Sequence, residues 1–119
     1  MHYSLLIYQS GADFAARDDP AQHAAFYASF IPYAQAMRAA GIVVGGAGLA
    51  APAAATTVTV TNGQRLVQDG PYADTKEQLG GFFIIDVPDL DTALDWAARC
   101  PSGESTIVEV RPNLITPAD

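Results

Sequence analysis

The chain has 119 residues, half of them hydrophobic and 16% charged, with a formal net charge of −7. A single domain, residues 1–119, is the expectation at this length; it can bury a core without metal, and the lone Cys100 excludes an intrachain disulfide and fits a reducing compartment. The acidic excess disfavours nucleic acid and anionic membrane as partners, and no apolar run approaches the roughly 20 residues of a membrane span.

In chain order, His2 to Gln9 is a short apolar run with β-branched and aromatic residues, read as a strand. Its apolar part, Ser4–Tyr8, is too short for a signal-peptide core and has no basic residues before it, so a cytoplasmic protein is expected. Gly11 to Asp19 reads as a loop. Asp19 and Pro20 open a helix, with Gln22 three residues after the cap. His23, Phe26, Phe30, Ala34 and Met37 then form one stripe, Pro32 should kink the helix, and Gly41 ends it. Ile42 to Leu49 is a glycine-rich strand, followed by a small-residue linker, Ala50 to Ala55. Thr56 to Thr61 alternates like a strand, turns at Asn62-Gly63 and returns through Arg65-Leu66-Val67.

Asp69 to Gln78 reads as a polar loop, and Gly80 to Val87 as a strand apolar on both faces. Pro88-Asp89 opens a second helix with Leu90, Ala93, Leu94 and Ala97 as its stripe, closed by Pro101; Ser105 to Val110 is the last strand. The order is βαβ, an inserted hairpin, then βαβ: an α+β, ferredoxin-like pattern with an antiparallel sheet. Two helices cover one face of such a sheet, yet both central strands are apolar on both faces. Either the inserted hairpin folds over the second face, or a second copy covers it in a homodimer; the homodimeric α/β barrel is the favoured expectation.

The run Asp69-Gly70-Pro71-Tyr72-Ala73-Asp74-Thr75-Lys76-Glu77-Gln78-Leu79-Gly80-Gly81-Phe82-Phe83 resembles the signature of the DGPF-motif branch of the YCII-related family, with Tyr72 where the motif has Phe. The continuations Ile84 to Asp91, Trp96 to Pro101 and Val108 to Pro112, and the opening Tyr3 to Tyr8, extend the resemblance over nearly the whole chain. It implies a dimeric ferredoxin-like barrel and an association with sigma-factor contexts. It also implies a histidine–aspartate pair in a cleft, which carries over to His23; the acid later in that helix has no counterpart, since Gln35 and Ala36 lie there, and Asp69 would take its place.

By residue chemistry, His23 at a helix start would act as proton acceptor toward a substrate carbon or hydroxyl; its structural alternative is a histidine at the edge of the core. Asp69 would orient His23 or bind a hydroxyl, or else simply form its turn. Lys76 is the only lysine; beside Asp74, Thr75 and Glu77 it suits an ionic anchor better than a Schiff base. Tyr8 and Tyr72 offer hydroxyls, whereas Trp96 and Cys100 read as packing. The expected site is a cleft walled by the Asp69–Gln78 loop, with His23 or Tyr8 opposite and the core itself closed to ligand; in the competing reading the loop only builds the dimer contact.

No metal-ligand spacing, P-loop or Rossmann turn is present, so neither metal nor cofactor is expected. Two functions remain open. One is a cofactor-independent lyase or isomerase acting on a small metabolite. The other is a non-catalytic module that senses a ligand or contacts a regulatory partner such as a sigma factor.

Overall fold

The structure, a computed structural model, describes residues 1–101 and 107–115. Strand β1 (His2–Gln9) lies between β5 (Gln78–Asp86) and β6 (Ile107–Pro112), and β2 (Val43–Gly48) borders β5. All three pairings are antiparallel, giving the order β2-β5-β1-β6. This mixed α/β arrangement agrees with the expected ferredoxin-like pattern. The expected beginning of the last strand, at Ser105, lies outside the described residues.

Partners across an antiparallel ladder share a face. Leu5 stands opposite Phe83 and Val110, and Tyr3 opposite Ile85. On this face Tyr3, Leu5, Ile7 and Ile85 are buried against Tyr33 and Met37 of α2 (His23–Ala39) and Ala93 of α3 (Leu90–Ala98). The other face carries Leu6, Tyr8, Phe82 and Ile84, half-buried, and Ile107, exposed. Among the described residues no helix covers it.

The inserted hairpin, β3 (Thr56–Thr61) and β4 (Gln64–Asp69), forms its own two-stranded sheet. Asn62 and Gly63 both have positive φ, 52° and 76°, as a type I′ turn requires. Val58, Val60, Leu66 and Val67 remain exposed, so the hairpin does not fold over the open sheet face. The molecule is a slab of 47 × 45 × 19 Å, thin enough for one sheet and one helical layer.

Local expectations are corrected in all three helices. The segment read as a loop from Gly11 to Asp19 is largely helix, α1 (Gly11–Asp18). Ser10 and Asp13 form a reciprocal capping box: the Ser10 hydroxyl accepts from the Asp13 N–H, and the Asp13 carboxylate accepts from the Ser10 N–H, both at 3.2 Å. Phe14 buries the inner side of this helix.

Helix α2 starts at His23, later than the Asp19-Pro20 signal, because the Asp19 carboxylate accepts from the Ala21 N–H at 2.9 Å and the Gln22 side chain at 2.8 Å, building a turn instead. The helix then runs unbroken through Pro32. It seats Tyr33 and Met37, while His23, expected on the packing stripe, is exposed.

In α3, capped by Asp89, Ala93, Trp96 and Ala97 face the core, whereas Leu90 and Leu94 are exposed. Tyr33 ties α3 to α2: its hydroxyl donates to the Trp96 carbonyl at 2.7 Å.

Candidate functional site

The two halves of α2 do different work. Its C-terminal half seats Tyr33 and Met37 in the core, but its N-terminal half stands over strands that carry almost no side chains. Gly46 and Gly48 of β2 lie opposite Phe83 and Gly81 of β5, and Gly80 adjoins them. The result is a cavity of about 510 Å³ between α2 and the β2–β5 edge, within the size range of small-molecule sites. Phe26, Phe30 and Ala34 line its roof at helical spacing, and Tyr27 and Ile31 line its mouth. The expectation that the core leaves no room for a ligand is thus corrected: the glycine floor opens space on the helix-covered face.

One end of this cleft is polar. Arg17, the last basic residue of α1, donates to the Gln9 side-chain oxygen at 3.0 Å, to the Gly80 carbonyl at 3.4 Å, and to the Leu49 carbonyl. It ties together the ends of β1, β2 and β5. Its guanidinium also lies 5.1 Å from the Phe14 ring centroid. Gln9 is only 3% exposed. The opposite end holds Gln35 and Arg38, and among the described residues no carboxylate lines the cavity.

The residues expected at the site are dispersed. His23 is exposed, with its ring edge-on to Tyr27 at a centroid distance of 6.5 Å. Tyr27 lines the cleft, but His23 does not. Tyr8 alternates with Ile7 and Gln9, so it points to the open face, away from the cleft. Asp69 is the last residue of β4 and exposed, and among the described residues no hydrogen bond or ion pair links it to His23.

Tyr72, 86% exposed, and Asp74, Lys76 and Glu77 occupy the segment between β4 and β5. That segment is tied down by Gln78, whose amide donates to the Ala73 and Thr75 carbonyls at 2.8 and 2.9 Å. The Thr75 hydroxyl donates to the Glu77 carbonyl. The loop therefore leads directly into the cleft floor, since Gly80 follows Gln78 by two residues, while Asp74 and Lys76 are exposed and Glu77 is half-buried. Cys100 is buried, and desolvation pushes its thiol up to about 11, which makes it an inert packing group.

Arg17 and Gln9 were missed by sequence reasoning because the segment bearing Arg17 was read as loop. The Ser10-x-x-Asp13 spacing is the signal that locates α1, and with it Arg17. The cleft itself was foreshadowed by two glycine clusters, 45–48 and 80–81, facing an aromatic helical stripe.

A stretch of 61 residues is 46% identical to "Uncharacterized protein R00369" of Rhizobium meliloti (strain 1021), covering 50% of this chain and 49% of that protein. The chain thus spans about half the length of that curated relative. The profile of the YCII-related domain matches residues 1–114, from β1 through β6. By this match, over nearly its whole length, the chain belongs to the YCII-related domain family.

Proposed function

We propose that this domain is a small-molecule-binding module whose site is the cleft beneath the N-terminal half of α2, and that it works as a homodimer. The cavity of about 510 Å³ carries the reading: aromatic and aliphatic side chains wall it, and a few convergent polar groups stand at its ends. Dimerisation is supported by the apolar open face of Leu6, Tyr8, Phe82, Ile84 and Ile107 and by the exposed valines of the hairpin. The Asp69-Gly70-Pro71-Tyr72 run supports assignment to the DGPF branch within the family.

In this reading Asp69 at the end of β4, and Tyr72, Asp74, Lys76 and the half-buried Glu77 of the loop that feeds the cleft floor, act as contacts for ligand entry. Tyr8 belongs to the dimer face. A thermal-shift screen of the purified protein against a broad metabolite collection tests the proposal. Stabilisation by discrete small molecules is expected, and a Gly48→Leu variant should lose it. Gly48 lines the cleft opposite Gly81, and a Cβ there would meet nothing within 4 Å, so the backbone admits a side chain at this position.

A second reading is acid–base chemistry by His23 with Asp69, as in a lyase or isomerase. The observation favouring it is the contact that holds the His23 ring against the cleft-lining Tyr27. Deuterium incorporation from D₂O into a bound ligand, followed by NMR, tests it. Incorporation that disappears in His23→Ala supports the reading; a ligand that binds and never exchanges sinks it and leaves a binding module.

A further inference from the structure

The polar end of the cleft narrows the ligand class. Arginine only donates hydrogen bonds, so its bond to Gln9 fixes which end of that amide is oxygen. The Gln9 Nε2 group is then the free end, and among the described residues it donates no hydrogen bond. No side-chain polar atom among the described residues is both sealed from solvent and unpartnered. The amide N–H groups of this 97%-buried residue therefore open onto the cavity that Gln9 lines.

Beside them, the hydrogen bonds of the half-buried Arg17 among the described residues go to neutral oxygens, those of Gln9, Gly80 and Leu49. Among the described residues no carboxylate lies within ion-pair distance of it. A second cation, Arg38, lines the far end, and among the described residues no acidic side chain lines the cleft, in a chain that carries a net charge of −7. Donors that open onto the cavity without a protein acceptor, next to a cation without a counter-ion among the described residues, are complementary to an anionic oxygen pair.

We propose that the Gln9–Arg17 end of the cleft binds the carboxylate of a small organic acid whose apolar or aromatic body lies along Phe26, Phe30 and the glycine floor. This rests on the reading of the cleft as a ligand site and adds the chemical class. The Gln9 amide and the unused guanidinium donors address the two carboxylate oxygens, and the flat floor of Gly46, Gly48 and Gly81 accepts a planar or extended body.

The test is calorimetric titration of the full chain with 3-phenylpropanoate, indole-3-acetate and octanoate, each against its primary amide. The acids should bind at least ten-fold more tightly than the amides, and the Gln9 side-chain amide signals should shift in ¹⁵N-resolved NMR. Gln9→Glu keeps an acceptor for Arg17, and so the clamp, but sets a carboxylate against the ligand; acid binding should fall at least ten-fold while amide binding is retained.

Equal binding of acids and amides, blocked by Gly48→Leu, overturns the carboxylate proposal and leaves the cleft as a ligand site. Acid binding unchanged in Gln9→Glu also overturns it. If these probes fail to bind and no member of the metabolite collection stabilises the protein, the cleft reading falls and the proposal with it.

Discussion

Gly46 and Gly80 border the cleft for different reasons, and substitution should separate them. Gly46 has φ +152°, and a Cβ there would lie 2.5 Å from the Phe82 carbonyl oxygen, a backbone atom that cannot yield. Gly80 has ordinary φ, but a Cβ would meet the Gln9 side-chain oxygen at 2.0 Å. That side chain can swing, at the cost of its bond to Arg17. Gly46→Ala should therefore destabilise by about 2 kcal/mol or more, and Gly80→Ala by about 1 kcal/mol. Urea unfolding measures both, and reversal of the order would show that the Gln9–Arg17 clamp is stiffer than the β2–β5 backbone.

Cys100 and Tyr33 make a second residue-scale prediction. Burial pushes the Cys100 thiol from its ordinary 9.0 up to about 11. Burial, then the nearby Cys100, also raises the Tyr33 hydroxyl above its ordinary 10.0, against a lowering influence of Arg99. Both acids are favoured neutral in the folded chain, so their contribution is fully present below about pH 9 and is lost as pH climbs through the range of the raised values. Denaturation midpoints should fall from about pH 9 upward, and in Cys100→Ala the onset should move toward the ordinary tyrosine range near 10.0. A variant with the same onset as the parent would exclude Cys100 as the source.

At the scale of elements, α1 is short and depends on its cap. The Ser10–Asp13 box satisfies donors at its start, Phe14 anchors its inner side, and Arg17 links it to three strand ends. Ser10→Ala should cost about 1 kcal/mol and raise amide hydrogen exchange across residues 11–18. Because Arg17 forms the polar end of the cleft, the same variant should also weaken ligand binding. Unchanged exchange in that segment would mean that Phe14 alone holds the helix. In α2, one helical stripe serves two purposes by position: near Met37 it meets Leu5 and Ile85 and makes core, and near Phe26 it meets glycines and makes cleft.

For the whole molecule, the consequence of a 19 Å slab is an uncovered sheet face. With the radius of gyration at 16.1 Å, the chain is more extended than the about 13–14 Å expected of a compact domain of its length. Exposed hairpin valines and the Leu6–Ile84 face leave apolar area that a second copy would remove from water. Light scattering should give twice the monomer mass, and Ile84→Lys, which places a charge at the centre of that face, should give monomer. A monomeric parent protein would sink the homodimer.

The residues themselves determined the strands, the hairpin with its Asn62-Gly63 turn, the βαβ order and the burial of Cys100, because each follows from local backbone preference or apolar periodicity. Periodicity also makes both faces of β1 and β5 apolar without any knowledge of their neighbours. Which face the helices take, and where they fail to fill it, depends on contacts between residues far apart in sequence. Leu90 and Leu94 stay exposed while Ala93, Trp96 and Ala97 pack on the core, where Tyr33 of α2 bonds the Trp96 carbonyl. His23 is the first residue of α2, one turn before Phe26 where the stripe begins to line the cleft, and it stays exposed. Arg17 met Gln9, Leu49 and Gly80 only when β1, β2 and β5 were side by side. A cleft is a place where packing is incomplete, and the absence of side chains on paired strands becomes space only once the pairing register and the helix above it are set.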